Sequence, residues 1–212
     1  KLKSAIFLFL GKCAEGIKRL VKFFYRHIVK NPIQSMLLLG IGVCLCWIYG
    51  RQIILVYGYR ASDIPVHMSW INEMSRGKIF AKGVYPFGFH CMIYYLHAVF
   101  RFDTYVILCQ FFFAQVIFMH LVLLAMLKQL CKTKYIPYIG TFVFLLGNFW
   151  SGQTYSRFYA TLPQEFGMIF VIPSIYFLIR FFQIPKQKLA DKETRLTLQC
   201  FAMAFSLTLA IH

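Results

Sequence analysis

The sequence is poor in acid. Seven Asp and Glu residues stand among 212, and charged residues of both signs make up 14%, well short of the roughly one quarter found in soluble domains. The seven cysteines are scattered, mostly inside apolar runs, with no Cys-x-x-Cys pair and no matching histidine spacing, so neither a zinc site nor a disulfide framework is indicated. No basic module stands apart from the apolar runs, which excludes nucleic-acid binding despite a net charge of +16. No internal repeat is visible. The apolar run Ala5 to Leu10 is short and no small-residue cleavage site follows it, so it is not read as a signal peptide.

What is present is apolar. The chain is 59% hydrophobic and 19% aromatic, with a mean hydropathy of +0.63, the composition of an integral membrane protein. Its Lys and Arg residues cluster between the apolar runs, as topology signals do. The expected fold is an all-α polytopic membrane protein. Spans are expected at about 33–57, 105–127, 135–150, 162–182 and 196–212, preceded by a basic segment, 1–32.

That first segment carries eight basic side chains against Glu15. Ile17, Leu20, Val21, Phe24 and Ile28 recur at helical spacing, which fits either a basic amphipathic helix on an anionic cytoplasmic leaflet or a plain positive-inside flank. The chain does not begin with Met and stops at His212 within an apolar run, so a piece of a longer protein, lacking its C-terminal part, is expected.

The stretch from Ala61 to His97 is neither span nor basic tail. Its second half, Phe87 to Phe102, reads as a short span or as a helix on the membrane surface. Without a span there, 16 Lys and Arg fall inside and seven outside; with one, 10 fall inside and 13 outside. The positive-inside rule selects the first arrangement, and Pro86, Gly88 and two histidines agree. The expectation is five spans, a cytoplasmic N-terminus, and a first extracytoplasmic loop with surface helices at about 64–76 and 87–101. The turn 151–161 is the second outer loop.

Three segments of that loop carry a resemblance: Asp63-Ile-Pro-Val-His67, Met74-Ser-Arg-Gly77 and Tyr85-Pro-Phe-Gly-Phe-His90. In this layout the chain resembles the GT-C membrane glycosyltransferases, closest to uncharacterised bacterial glycosyltransferase-like membrane proteins. More distantly it looks like the protein O-mannosyltransferase and lipid A aminoarabinose transferase group. The motifs occupy about thirty residues, and the layout covers most of the chain from Pro32 onward. The resemblance implies an N-terminal transmembrane module in the cytoplasmic membrane, with its active site outside. There a sugar passes from a polyprenyl-phosphate donor to a polysaccharide, lipid or protein acceptor in cell-envelope assembly. It also implies that the first-loop acid, Asp63 here, is the catalytic base or a divalent-metal ligand. The family's further spans and soluble C-terminal domain have no counterpart in this sequence.

The residues support that chemistry on their own terms. Transfer from a lipid phosphate needs a base for the acceptor hydroxyl and cations for the departing phosphate. Asp63 can be the first; Arg60, Arg76, Lys78, Lys82 and Arg157 are outer-side candidates for the second, Arg being better suited to bidentate contacts. His67, four residues after Asp63, shares its helix face and can orient it or share a metal with it. The turn Tyr85, Pro86, Gly88 would aim His90 toward the loop. Asp63 before Ile64 and Pro65 is equally the pattern of a helix N-cap. His97 and His120 read as packing residues, and Trp70 as an interfacial residue able to stack on a sugar. Mg²⁺ or Mn²⁺ would want a second acid beside Asp63, with Glu73 nearest, and the ion stays open. Two other classes compete: a transporter or flippase, for which His120 is the one mid-depth ionisable group, and a non-catalytic membrane subunit with a degenerate site.

Overall fold

The computed structural model describes residues 15, 16, 18, 19, 22, 25, 26, 28–55, 58, 61–78, 80, 87–152, 157–185, 187 and 190–211. Among them all regular structure is helical. The chain divides into two compact units, 1–43 and 44–212. In the first, the described residues between 15 and 30 are helical and exposed, Lys18, Arg19, Lys22, Arg26 and Lys30 among them. Glu15 pairs there with Arg19 at 3.8 Å. The apolar positions Ile17, Leu20, Val21 and Phe24 lie outside the described residues.

The helices are α1 (Pro32–Leu45), a π-helical turn (Cys46–Gly50), α2 (Arg51–Leu55), α3 (Ile64–Ser75), α4 (Gly88–Phe100), α5 (Thr104–Leu130), α6 (Ile136–Trp150), α7 (Pro163–Phe182) and α8 (Lys192–Ile211). Among the described residues, four helical segments are long and apolar enough to cross a membrane: Pro32–Leu55, Thr104–Leu130, Pro163–Phe182 and Lys192–Ile211. Large apolar side chains lie exposed along them, such as Leu39, Phe118 and Met203, as lipid-facing residues do. The segment expected as a span at 135–150 is a helix of 15 residues. At 1.5 Å per residue it is about 22 Å long, short of a hydrocarbon core of about 30 Å. α8 begins at Lys192 rather than at 196, its first turn closed by the Arg195 N–H donating to the Asp191 backbone carbonyl at 3.2 Å.

Local chemistry sets the helix ends. Pro65, Pro137 and Pro163 sit in the first turns of α3, α6 and α7, where a missing N–H costs nothing. α4 ends in Arg101, a left-handed residue (φ 59°), and the His97 ring nitrogen Nδ1 donates to the Phe102 carbonyl at 2.7 Å. Asp103 then opens α5, so the chain reverses within three residues.

In the second unit α7 packs along α8, and α5 packs against both α6 and α7. The shorter helices α3 and α4 pack on each other and on α5, and α4 also meets the end of α8. That last approach explains Gly88: a Cβ there would lie 2.6 Å from the Ala210 carbonyl oxygen. Only glycine lets the two backbones come so close.

Candidate functional site

α3 presents Asp63, His67 and Trp70 along one side, at offsets of four and three residues. They face the start of α7. Asp63, His67, Trp70, Leu162, Pro163 and Gln164 line a cavity of about 250 Å³. Two anchors place the α7 side. Thr161, fully buried, accepts the Phe112 N–H of α5 on its Oγ1 at 2.9 Å. The Tyr159 hydroxyl donates to the Ile48 carbonyl in the π-helical turn at 2.8 Å.

Asp63 occupies the N-cap position of α3 without acting as a cap. Its backbone is already helical (φ −84°, ψ −16°) and its carboxylate takes no N–H of the first turn. Oδ1 instead accepts from Ser62 Oγ at 3.1 Å. The side chain is exposed at the cavity edge. Among the described residues the carboxylate neither caps a helix nor pairs with a cation.

His67 is buried, and its Nδ1 lies 2.9 Å from Nε2 of the fully buried His90 on α4. One proton serves that contact, so the two rings share a tautomer choice. Aromatic edges enclose them: Trp70 is 5.4 Å from His67 and 5.3 Å from His90, and Phe89 is 5.6 Å from His90. Phe89 continues to Phe166 of α7 at 5.9 Å. Burial lowers the His67 pKa below the ordinary imidazole value, and the Asp63 charge partly opposes this.

The expected cations divide. Arg60 and Lys82 lie outside the described residues. Arg76 stands at the far end of α3, about 20 Å along the helix from Asp63, and pairs with Glu73 at 3.0 Å. Lys78 also binds Glu73, at 3.0 Å, and these contacts, Lys78 foremost, hold the Glu73 carboxyl below its usual range. Arg157 stands beside the cavity, but its Nε donates to the buried Glu165 carboxylate at 2.5 Å. A second nitrogen of its guanidinium donates to Gln164 Oε1.

So Asp63, His67 and His90 converge, Arg157 is bonded to a lining residue, and Arg76 is elsewhere. Among the described residues no three His, Cys, Asp or Glu side chains are grouped as a metal site requires, and Glu73 is turned to its own cations. Gln164 and Glu165 did not stand out in the sequence. The available signal was a proline entering a helix directly after a polar turn, with an acid in its first turn. The chain matches no family model, no curated protein and no solved structure.

Proposed function

We propose that this chain is the N-terminal transmembrane module of a membrane glycosyltransferase of the GT-C kind. In this reading it lies in the cytoplasmic membrane with five spans, α6 being the short one, and a cytoplasmic N-terminus. α3 and α4 lie at the outer surface. The observation that carries the proposal is the uncapped Asp63 carboxylate at a cavity shared with His67 and Trp70.

Asp63 takes the proton of an acceptor hydroxyl as its oxygen attacks the anomeric carbon. The bond from that carbon to the lipid phosphate oxygen breaks, and polyprenyl phosphate leaves with the bonding pair. A positioned base of this kind is worth about 10² to 10⁴ in rate. His67, kept neutral by burial, lines the cavity beside the carboxylate. His90 has no exposed surface and acts through His67 as a positioning residue. Arg60 and Lys82 are the phosphate ligands of this reading, since Arg76 and Arg157 are committed to carboxylates. If a divalent ion takes part, Asp63 is its protein ligand.

The test is transfer in proteoliposomes. Purified protein with polyprenyl-phosphate sugars and envelope acceptors is expected to release polyprenyl phosphate in step with sugar incorporation; no release with any donor would refute the proposal. A second reading, transport, is favoured by one observation. On the packed pair α5 and α6, Gln115 (both amide atoms), His120 Nε2 and Asn148 Nδ2 are buried with no hydrogen-bond partner among the described residues, and polar groups inside spans mark transport paths. Uptake of a labelled sugar into vesicles without covalent transfer would establish it.

A further inference from the structure

The interactions of Arg157 determine which ligand chemistry the cavity accepts. A guanidinium has only donors, so the Gln164 atom that faces it is the carbonyl oxygen, and the carboxamide cannot turn over without opposing N–H to N–H. The Gln164 NH₂ has no hydrogen-bond partner among the described residues, and Gln164 lines the cavity. Glu165 holds the arrangement in place. It is buried in the first turn of α7, where a carboxylate is favoured by the helix dipole. Its pairing with Arg157 through Nε fixes the guanidinium, and a buried acid does not release its cation cheaply.

The cavity therefore offers an acceptor on one side, Asp63, and an N–H donor on the other, Gln164. Trp70 of α3 lines the same cavity and serves as an apolar wall. The described lining includes no cation, and the charge of Arg157 beside it is offset by Glu165. Its net charge is that of one carboxylate, which repels phosphate.

We infer that Gln164, oriented by Arg157, is a specificity-determining residue that selects a neutral polyhydroxylated ring, and that the cavity holds the sugar or acceptor polyol rather than the lipid phosphate. A hydroxyl suits both poles, donating to Asp63 and accepting from Gln164, while the ring's C–H face lies on the aromatic surface. Arg157 is then a positioning residue. This inference rests on the glycosyl-transfer reading and names where the sugar or acceptor sits.

The test is binding to the whole chain in lipid nanodiscs free of glycoside detergents. Trp47 and Trp150, both exposed, are changed to Phe so that Trp70 reports alone. Methyl glycosides of neutral hexoses and pentoses are titrated against inorganic phosphate and ethanolamine. The expected result is a saturable Trp70 response to at least one glycoside and none to phosphate. Gln164→Leu and Gln164→Glu are each expected to weaken that response about tenfold, the loss of one good hydrogen bond. Arg157→Met is expected to weaken it several-fold, with partial recovery in Arg157→Lys. Thermal midpoints confirm that the variants are folded, and Gln164, being exposed, is expected to tolerate both changes. Phosphate binding as well as the glycosides, no glycoside response, or an unchanged response in Gln164→Glu would overturn the inference. Glycoside binding without any transfer from lipid donors would instead remove the enzyme reading and leave the cavity assignment standing.

Discussion

Asp63 and Asp103 both stand immediately before a helix, yet only one of them caps it. Asp103 is extended (φ −64°, ψ 131°), and Oδ1 accepts the N–H groups of Tyr105 at 2.7 Å and Val106 at 3.4 Å. This is the geometry in which a capping carboxylate reaches back over the first turn. Asp63 has ψ −16°, so its chain has turned helical one residue too soon and the side chain is carried away from the free N–H groups. α3 has Pro65 in its first turn instead, which removes one orphan donor outright. The same residue type is thus a helix cap at α5 and an exposed, non-capping carboxylate at α3. A backbone angle, not the identity of the acid, makes the difference.

The largest effect expected on one side only is Gly88→Ala. A Cβ 2.6 Å from the Ala210 carbonyl oxygen forces α4 and α8 apart, at about 1–3 kcal/mol for overpacking. It shifts His90 and with it the surroundings of His67, while the Asp103 cap stays. Unfolding midpoints and the imidazole NMR signals of the two histidines would show whether the damage is so confined.

Next comes the cap itself. Asp103→Ala is expected to cost about 1 kcal/mol of stability, and Asp63→Ala less than about 0.5 kcal/mol, the range of surface substitutions. Equal losses would erase the distinction drawn from the two backbones.

A smaller effect is expected from pH. The His67 pKa is lowered in the folded chain, so below about pH 6.5 the unfolded chain takes up a proton that the folded chain resists. Stability should fall as pH drops from about 6.5 toward the lowered value, and His67→Gln should flatten that slope in a denaturant series. The smallest effect is at the other end of α3. Glu73→Gln removes exposed ion pairs to Arg76 and Lys78 and should cost no more than about 0.5 kcal/mol, less in high salt, with ligand binding at the cavity unchanged.

Much of the helical layout is legible in the sequence because long apolar runs and prolines act locally. The Asp63 to His67 relation is also legible, since a spacing of four on a helix is geometry. The His67 to His90 contact is not, because it joins residues 23 apart through the packing of α3 on α4. Neither is the fate of Arg157. An arginine in a polar turn reads as a spare cation until the fold sets Glu165 and Gln164 against it. Gly88 reads as a turn residue, and its reason lies more than 120 positions away in α8.

The most direct measurement is transfer from a polyprenyl-phosphate sugar by Asp63→Asn and Asp103→Asn in parallel, each rate normalised to folded protein in the membrane. Asp63→Asn is expected to lose at least about a hundredfold in rate at an unchanged thermal midpoint. Asp103→Asn should keep its rate per folded molecule. Full activity in Asp63→Asn, or a loss explained by unfolding, would contradict the claim that this carboxylate performs chemistry.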